Sequence, residues 1–376
     1  AVVVIHNMSM GLIKKAVIAI FIAILANRMI WIANLLDLHK VVLYREPGPC
    51  HLVPNAVEGS EDLQVLSNGV ALITSGMRFP SPGNEFTKNR KGRILKFDFN
   101  DPNAGIEEVK IVNENEMPEL NPHGLSLWED RQTGKTFLFV VNHPADETVD
   151  YISIFNYDVA TNSLTHLKSI THPDFGMLND VVATGPESFY TTRYYYSRRH
   201  AWVGKLEILT GLGLGAVFYH DGKKTKFVDS SLITANGINI SPDGKLLYVA
   251  LPVERIVKIY RRNEDNSITF FRDIVTGTGV DNINIDVENG DLWIGAHPVG
   301  HQVMEHLENP SVPAPSQVVK IRVQGDKEFI EDVFSEPAMR LYASTSAERF
   351  HDAILIGTIQ HKLMYCKLNH LSSYHG

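Results

Sequence analysis

The chain has 376 residues, with 43 acidic and 35 basic side chains and a formal charge of −8. Affinity for nucleic-acid phosphates depends on excess Lys and Arg, so this balance argues against a nucleic-acid partner. A hydrophobic content of 44% excludes an intrinsically disordered chain. The only two cysteines, Cys50 and Cys366, are too few for a zinc ribbon or a small disulfide-rich protein.

Residues 1–40 are predicted to form a hydrophobic leader. Lys14 and Lys15 precede an uninterrupted apolar run at 16–26. A run of this length suits the core of a signal peptide better than a membrane span, which needs roughly twenty residues. No small-x-small cleavage site follows it, so we expect a retained leader that anchors the protein with its positive end in the cytoplasm. We expect residues 29–38 to continue it as an amphipathic helix at the membrane interface.

A cleaved signal peptide is the alternative to an anchor, and Met8 and Met10 are candidate initiators because the sequence begins with Ala. Either interpretation directs the remaining chain to the secretory pathway. We therefore expect a protein anchored on the ER-luminal or extracellular side of a membrane, or secreted with its leader retained. A disulfide between Cys50 and Cys366 can form in that compartment. Two unrelated buried thiols are the alternative.

The sequence from about residue 55 onward is an all-β repeat of strand, turn and strand. The units begin near residues 62, 123, 179, 236, 281 and 344, a mean step of about 56 residues. A repeated four-stranded sheet of that length is typical of a β-propeller blade. We therefore predict that residues 41–376 form a six-bladed β-propeller, whose ring a bond between Cys50 and Cys366 would close.

Two further patterns lie in the second half of the chain. The aromatic-rich segment 194–214 predicts a lid or a membrane-facing loop. The sequence at 211–216 matches the dinucleotide pattern G-x-G-x-x-A, but the residues that follow resemble a strand rather than a helix, so we reject a nucleotide site. The chain contains no G-x-S-x-G, which excludes the nucleophile elbow of serine hydrolases.

Polar residues recur at the first strand of successive repeats. In a propeller this strand lines the central axis, so its polar side chains converge. Turn capping would explain any one of them but not the set. Buried carboxylates repel one another unless a cation lies among them, and oxygen ligands without cysteine favour Ca²⁺. The adjacent pairs 61/62 and 179/180 would allow two ions stacked along the axis. The converging residues are Glu61, Asp62, His123, Asn179, Asp180, Asn236, Asp281 and Asn282.

Seven short stretches carry a resemblance that extends over residues 50–368. They are GSEDL at 59–63, NPHGL at 121–125, VVNHP at 140–144, LNDVV at 178–182, ANGINISPDG at 235–244, VDNI at 280–283 and LWIG at 292–295. The sequence resembles the paraoxonase family of six-bladed propeller lactonases and arylesterases. This resemblance implies a calcium-dependent active site, a second structural calcium, a disulfide that closes the propeller and, commonly, a retained hydrophobic leader.

The resemblance also implies roles for individual residues. His123 would be the general base and His143 its relay partner, although a buried, hydrogen-bonded core histidine is the alternative for His143. His297 would lie at the rim of the pocket and bind substrate. The catalytic Ca²⁺ would be held by Glu61, Asn179, Asn236, Asp281 and Asn282. The structural Ca²⁺ would be held by Asp62, Asp180 and the backbone carbonyl of Leu125.

The function implied by the resemblance is calcium-dependent hydrolysis of lactones and aryl esters, with Ca²⁺ polarising the carbonyl and His123 activating water. The alternative is a non-catalytic, membrane-anchored protein of the same fold that acts as a chaperone for membrane-protein assembly. The expected partners are a small lactone or ester and a membrane or lipid surface that contacts the N-terminal segment. Phe79, Thr234 and Ala296 depart from residues found at pocket positions in the family, so its substrate preference is not transferred.

Overall fold

The computed structural model describes residues 2–78, 85–145, 149–197, 201–325 and 327–369, with side chains from residue 11 onward except at 201. Phe79 lies outside the described residues. The chain begins with helix α1 (Val2–Leu35), after which β1 (Cys50–Leu52) is the first strand. Six sheets follow one another around a ring, which confirms the predicted six-bladed β-propeller.

Each of the first five blades takes its strands from one continuous stretch of chain. Blade 1 contains β2 (Leu63–Val65), β3 (Val70–Ser75), β4 (Arg93–Asp98) and β5 (Ile106–Glu108). Blade 2 contains β7 (Pro122–Asp130), β8 (Lys135–Asn142), β9 (Tyr151–Asp158) and β10 (Ser163–Ile170), and the short β6 (Lys110–Ile111) pairs in parallel with β10. Blade 3 contains β11 (Met177–Ala183), β12 (Phe189–Tyr195), β13 (Gly215–His220) and β14 (Thr225–Leu232).

The remaining blades follow the same order. Blade 4 contains β15 (Ile238–Ile240), β16 (Leu246–Leu251), β17 (Ile256–Arg262) and β18 (Ile268–Val275). Blade 5 contains β19 (Gly279–Ile285), β20 (Leu292–His297), β21 (Ser316–Gln324) and β22 (Lys327–Glu336). Blade 6 contains β23 (Ser344–Phe350), β24 (Ala353–Thr358), β25 (Met364–Lys367) and, from the other end of the chain, β1.

Blade 6 closes the ring by joining the two ends of the propeller. Strand β1 pairs antiparallel with β25, and Cys50 lies opposite Cys366 in that pairing. The two cysteines form a disulfide that links residues 316 positions apart, as predicted. In the chain-entropy model, a covalent loop of this size destabilises the unfolded state by about 6 kcal/mol.

Six hydrophobic clusters of the described residues lie one in each interface between neighbouring blades, and a seventh, which includes Met177 and Ile359, packs against α3. Successive side chains of a strand point to opposite faces, so one strand serves two clusters. Leu72 and Ile73 of β3 are both fully buried. Leu72 packs towards blade 2, whereas Ile73 packs towards blade 6. This burial on both faces explains why the middle strands are almost continuously apolar.

Helix α1 is longer than the sequence predicted. The apolar run at 16–26 is only the middle of a helix of 34 residues, which continues through Asn27 and Arg28. These two side chains project outward without disturbing the backbone hydrogen bonds, and Arg is a good helix former. The expected interfacial helix at 29–38 is therefore the last part of α1, followed by a turn at 36–39. Within the described residues, Gly11–Leu35 is long and apolar enough to cross a membrane, and none of it is buried.

Two short helices cover one end of the propeller. Helix α2 (Ala201–Thr210) follows β12, and helix α3 (Gly300–Glu308) follows β20. The predicted loop at 194–214 was therefore wrong in its secondary structure, because its middle is α2 and its first residues belong to β12. The strand expected after the glycine-rich sequence is β13, which leaves no strand–loop–helix unit for a dinucleotide.

Candidate functional site

The innermost strands of the six blades place one residue each at an equivalent position around the axis. In blades 1 to 5 this residue lies two before a position that pairs with the second strand, as Leu63 pairs with Ile73 in blade 1. In blade 6 it is the residue at the register shift between Ser344 and Ser346. We call these six residues the upper ring, and five of them were predicted from the repeats. Thr345 was missed because the sixth repeat carries neither a carboxylate nor an amide there. The upper ring consists of Glu61, His123, Asn179, Asn236, Asp281 and Thr345.

The strand ladders are irregular where they carry this ring. The pairing register shifts between Pro122 and Leu125, between Leu178 and Val181, between Val280 and Ile283, and between Ser344 and Ser346. Such irregularities re-aim side chains and are common beside functional sites. In four of the six blades, the shift frees the ring residue from regular pairing.

Five buried oxygens in and beside the upper ring have no hydrogen-bond partner among the residues that the structure describes. One comes from each residue that the sequence assigned to the catalytic ion. Buried polar oxygens normally accept a hydrogen bond, so a set of unpaired ones indicates a candidate ligand site. The donor set therefore fits a hard cation held by carboxylate and amide oxygens. The five atoms are Glu61 Oε2, Asn179 Oδ1, Asn236 Oδ1, Asp281 Oδ1 and Asn282 Oδ1.

The charges at this site also favour a cation. Burial raises the pKa of Glu61 well above its usual value, and the charge of Asp281 raises it further. A cation between the two carboxylates would relieve that repulsion. Only two of the five donor residues are acidic, and the described part of the chain has no group of three or more His, Cys, Asp or Glu side chains with metal-binding spacing. The amides are therefore essential to this interpretation.

Two contacts orient the carboxylates. Asn282 Nδ2 donates to Glu61 Oε1 at 3.0 Å, which leaves Glu61 Oε2 for the centre of the site. His297 Nε2 lies 2.6 Å from Asp281 Oδ2, which leaves Asp281 Oδ1. His297 was predicted to bind substrate at the pocket rim, and the structure adds a contact that orients a candidate ligand.

The predicted structural ligands lie one residue further along the inner strands and differ from the first set. Asp62 Oδ2 accepts the backbone N–H of Leu125 at 2.9 Å, and Asp180 Oδ2 accepts that of Ile238 at 2.8 Å. Each carboxylate therefore ties its own blade to the next. Their other oxygens accept the N–H of the following residue. None of these four oxygens is without a partner, so the second ion and the role of the Leu125 carbonyl stay predictions.

The buried carboxylates of Asp62 and Asp180 also place negative charges close to Glu61. Burial raises the pKa of Asp62 and of Asp180 well above the usual value. The charge of Glu61 raises the pKa of Asp62 further, and the charge of Asp62 does the same for Asp180. The close approach of the strands requires glycine between them. A Cβ at Gly124 would lie 2.4 Å from Asp180 Oδ1, so no other residue fits there without displacing the carboxylate.

A chain of three side chains extends from the upper ring into blade 2. His123 Nδ1 lies 2.9 Å from His143 Nε2, and His143 Nδ1 lies 2.9 Å from Asp150 Oδ1. Asp150 Oδ2 accepts the backbone N–H of Leu178 at 2.8 Å, which fixes the carboxylate. Burial lowers the pKa of His123 to about 4, so its imidazole is neutral at pH 7 and can accept a proton. The sequence brought the two histidines together as candidates but missed Asp150.

A cavity of about 180 Å³ opens above the upper ring. Glu61, His123, Asn179, Asn236 and Asp281 line its floor, with His297 beside them. The roof is mostly apolar and comes from α2, α3 and the end of α1. The roof residues include Leu35, Ile208, Val303, Met304 and Leu307. A mainly apolar cavity with a few convergent polar groups is typical of a site for a small molecule.

Comparisons with known proteins agree with this arrangement. The chain matches the family described as Arylesterase over residues 42–368. Serum paraoxonase/arylesterase 1 of Homo sapiens is 37% identical over 323 residues, which cover 85% of this chain and 88% of that protein. Serum paraoxonase/lactonase 3 of Rattus norvegicus is 33% identical over 359 residues, which cover 95% and 99%.

Among solved structures, a luciferin-regenerating enzyme is similar with a TM-score of 0.55 and 14% identity, covering 85% of this chain and 95% of its own. That likeness concerns the fold alone. The sequence match is of another kind, because it extends along almost the whole propeller at more than 30% identity. The chain therefore belongs to the arylesterase family.

Proposed function

We propose that this protein is a calcium-dependent hydrolase of lactones and aryl esters. The observation that carries the proposal is the position of a neutral His123 on the cavity floor, beside five unpaired oxygens suited to a cation. Relatives named arylesterase and lactonase support the substrate class. Of the two functions that the sequence left open, catalysis is favoured because the histidine pair and the donor set are both complete.

The three side chains in blade 2 define a direction for proton movement. The Nε2 atom of His123 accepts a proton from water only if its Nδ1 carries hydrogen. That hydrogen is donated to His143 Nε2, and His143 Nδ1–H is in turn donated to Asp150. As His123 gains a proton at Nε2, the positive charge is stabilised along this chain by the buried carboxylate.

The remaining residues position the reactants. Glu61, Asn179, Asn236, Asp281 and Asn282 would hold the Ca²⁺. When bound, Ca²⁺ supplies a Lewis acid that polarises the substrate carbonyl and stabilises negative charge on its oxygen. The apolar roof excludes water and binds the hydrocarbon part of the substrate, so the ester group faces His123 on the floor.

We also propose that α1 anchors the protein in a membrane, with the propeller on the luminal or extracellular side. The segment Gly11–Leu35 has a mean hydropathy of 2.2 and no buried residues. Trp202, Leu206 and Leu212, on and just after α2, are exposed on the same end of the propeller. Trp is enriched where a membrane meets water, so these side chains suit contact with a lipid surface.

An assay of the full-length protein in detergent tests the enzymatic function. We expect hydrolysis of phenyl acetate and of a panel of lactones in calcium, and loss of that activity after EDTA treatment. His123→Gln should remove most of the turnover but leave calcium-dependent thermal stability unchanged. His172→Gln, in a partly exposed His–Asp pair, is the matched control. A folded, calcium-saturated protein that hydrolyses none of these substrates would show that the proposed function is wrong.

A further inference from the structure

The end of α1 and the turn that follows it are in direct contact with α3, which forms part of the roof of the cavity. The backbone carbonyl of Leu36 accepts the N–H of His301 at 3.1 Å and lies 2.8 Å from Nδ1 of the same histidine. The preceding carbonyl, of Leu35, is packed against the first residue of α3. A Cβ added to Gly300 would lie 2.2 Å from the Leu35 oxygen, so only glycine permits this approach.

A buried carboxylate holds the contact in place. The side chain of Asp37 is 2% exposed. Its Oδ1 accepts Arg255 at 2.7 Å and Lys40 at 2.9 Å, and its Oδ2 accepts the N–H of Gly300 at 3.1 Å. A carboxylate at the N-terminus of α3 also interacts favourably with the helix dipole. Arg255 makes a further hydrogen bond to the carbonyl of Asn34.

One side chain thus joins three parts of the molecule. Asp37 belongs to the turn after α1, Gly300 begins α3, and Arg255 lies between β16 and β17 of blade 4. All three line the cavity whose floor carries Glu61 and His123. The conformation at Asp37 is left-handed, with φ of 53°, which an Asp tolerates better than most residues. The contacts of the Asp37 side chain therefore offset the cost of this backbone conformation.

We infer that Leu35 and Asp37 form part of the roof of the substrate pocket and that Asp37 is the positioning residue that fixes this part of the roof against α3. The anchor helix is then part of the binding site, and its position relative to the propeller determines the width of the pocket and the size of the substrate that fits. The inference rests on the proposed function, because it assigns the cavity to an ester or lactone substrate.

Two substitutions in the full-length protein test this inference. Gly300→Ala inserts a methyl group between α3 and Leu35, and Asp37→Asn removes the charge that binds Arg255. We expect each to raise KM for a lactone with a long alkyl substituent by about tenfold, with a much smaller change in kcat, because the reacting groups stay in place. KM for the small ester phenyl acetate should change less than twofold. Gly11→Ala is the control, since a Cβ at Gly11 meets no atom within 4 Å.

A binding measurement separates this inference from the proposed function. A δ-lactam with the same alkyl substituent has the shape of the lactone but resists hydrolysis, and its affinity is measured by calorimetry in calcium. Tenfold weaker binding to Gly300→Ala, with binding to Gly11→Ala unchanged, would support the inference even if the protein hydrolysed no lactone. Wild-type affinity and KM in Gly300→Ala would overturn it, as would the absence of lactam binding to the wild type. If Asp37→Asn does not fold, Gly300→Ala alone decides the outcome.

Discussion

His143 Nδ1 lies 2.9 Å from Asp150 Oδ1, which makes Asp150 the last member of a buried chain that begins at His123. Asp150 is fully buried, and its second oxygen is held by the backbone of blade 3. Its position is therefore set by two blades at once. A buried carboxylate that accepts Nδ1–H fixes the tautomer of a histidine and stabilises positive charge on it.

We predict that Asp150→Asn lowers kcat for lactones and phenyl acetate by about 10²–10⁴-fold, because the amide stabilises the wrong tautomer of His143 while preserving its shape. KM and calcium affinity should change little, since neither the roof nor the ion ligands are altered. Steady-state kinetics at saturating calcium provide the measurement. Asp174→Asn is the matched control, because Asp174 pairs with His172 outside the cavity. Equal kcat values in the two variants would contradict a role for Asp150.

The second prediction concerns His297 and the affinity of the site for calcium. Its Nε2 contacts Asp281 Oδ2 at 2.6 Å and thereby orients the oxygen that has no partner. Residues that orient metal ligands typically contribute about 10–100-fold to affinity. We therefore expect His297→Gln to weaken calcium binding by a factor in this range.

The measurement is the calcium concentration at which the thermal midpoint is half-restored after EDTA treatment, which needs no enzymatic activity. His351→Gln is the control, because His351 is exposed. If His297→Gln changed KM for substrate but not the calcium dependence, His297 would act only at the pocket rim, as the sequence resemblance implied.

Several of the site residues could be predicted because the repeat itself encodes them. Glu61, Asn179 and Asn236 share one position in their repeats, and a propeller brings that position to the axis. Thr345 occupies the same position but carries a hydroxyl, which is too common in strands to indicate an ion ligand. Asp150 has no equivalent in other blades, and its partner is set by packing between blades 2 and 3. A residue of that kind has no signal in the sequence of one chain.

The roof was less predictable than the floor for a related reason. Helix α2 was expected as a loop, and α3 was not predicted at all, because both are insertions between strands and follow no repeat. The contact between Asp37 and Arg255 joins residues 218 positions apart. Nothing in the local sequence of Asp37 indicates a buried salt bridge, since a single Asp after a helix usually faces solvent.

His361 leads to a prediction on how pH changes the stability of the fold. Burial lowers the pKa of His361 to about 4 in the folded protein, and neighbouring Lys362 lowers it further. Its pKa in the unfolded chain is 6.5, so the unfolded state binds more protons below that pH. The free energy of unfolding therefore falls as pH decreases from about 6.5 to about 4, by about 1 kcal/mol at pH 5 once solvent screening of this partly exposed imidazole is included.

We expect His361→Asn to remove this part of the pH dependence, because Asn does not titrate yet can still accept the N–H of Tyr342. Denaturant unfolding of the wild type and the variant at pH 7.5 and pH 5 gives the difference directly, since effects of acid on the ion site are common to both. His351→Asn, at an exposed position, should leave the pH dependence unchanged. An identical slope in wild type and His361→Asn would show that His361 does not titrate in this way.

The disulfide leads to a final prediction, about how the ring stays closed. The disulfide is not the only link between β1 and β25, because the two strands also pair along their length. Next to this pairing, the Lys367 N–H donates to the carbonyl of Pro49 at 3.0 Å and the Asn369 N–H donates to the carbonyl of Pro47 at 2.9 Å. We therefore expect the double variant Cys50→Ala/Cys366→Ala to fold and to keep its kcat at 25 °C. Its free energy of unfolding should fall by about 2–5 kcal/mol, the range typical for removal of a native disulfide and below the chain-entropy limit of about 6 kcal/mol, because the unfolded chain regains the entropy of an open loop. Urea unfolding in saturating calcium provides the measurement.

The corresponding double Ser variant controls for polarity at the fully buried Cys366 position, where an unpaired hydroxyl adds its own penalty. A midpoint equal to that of the wild type in the Ala variant would mean that the backbone pairing alone closes the propeller.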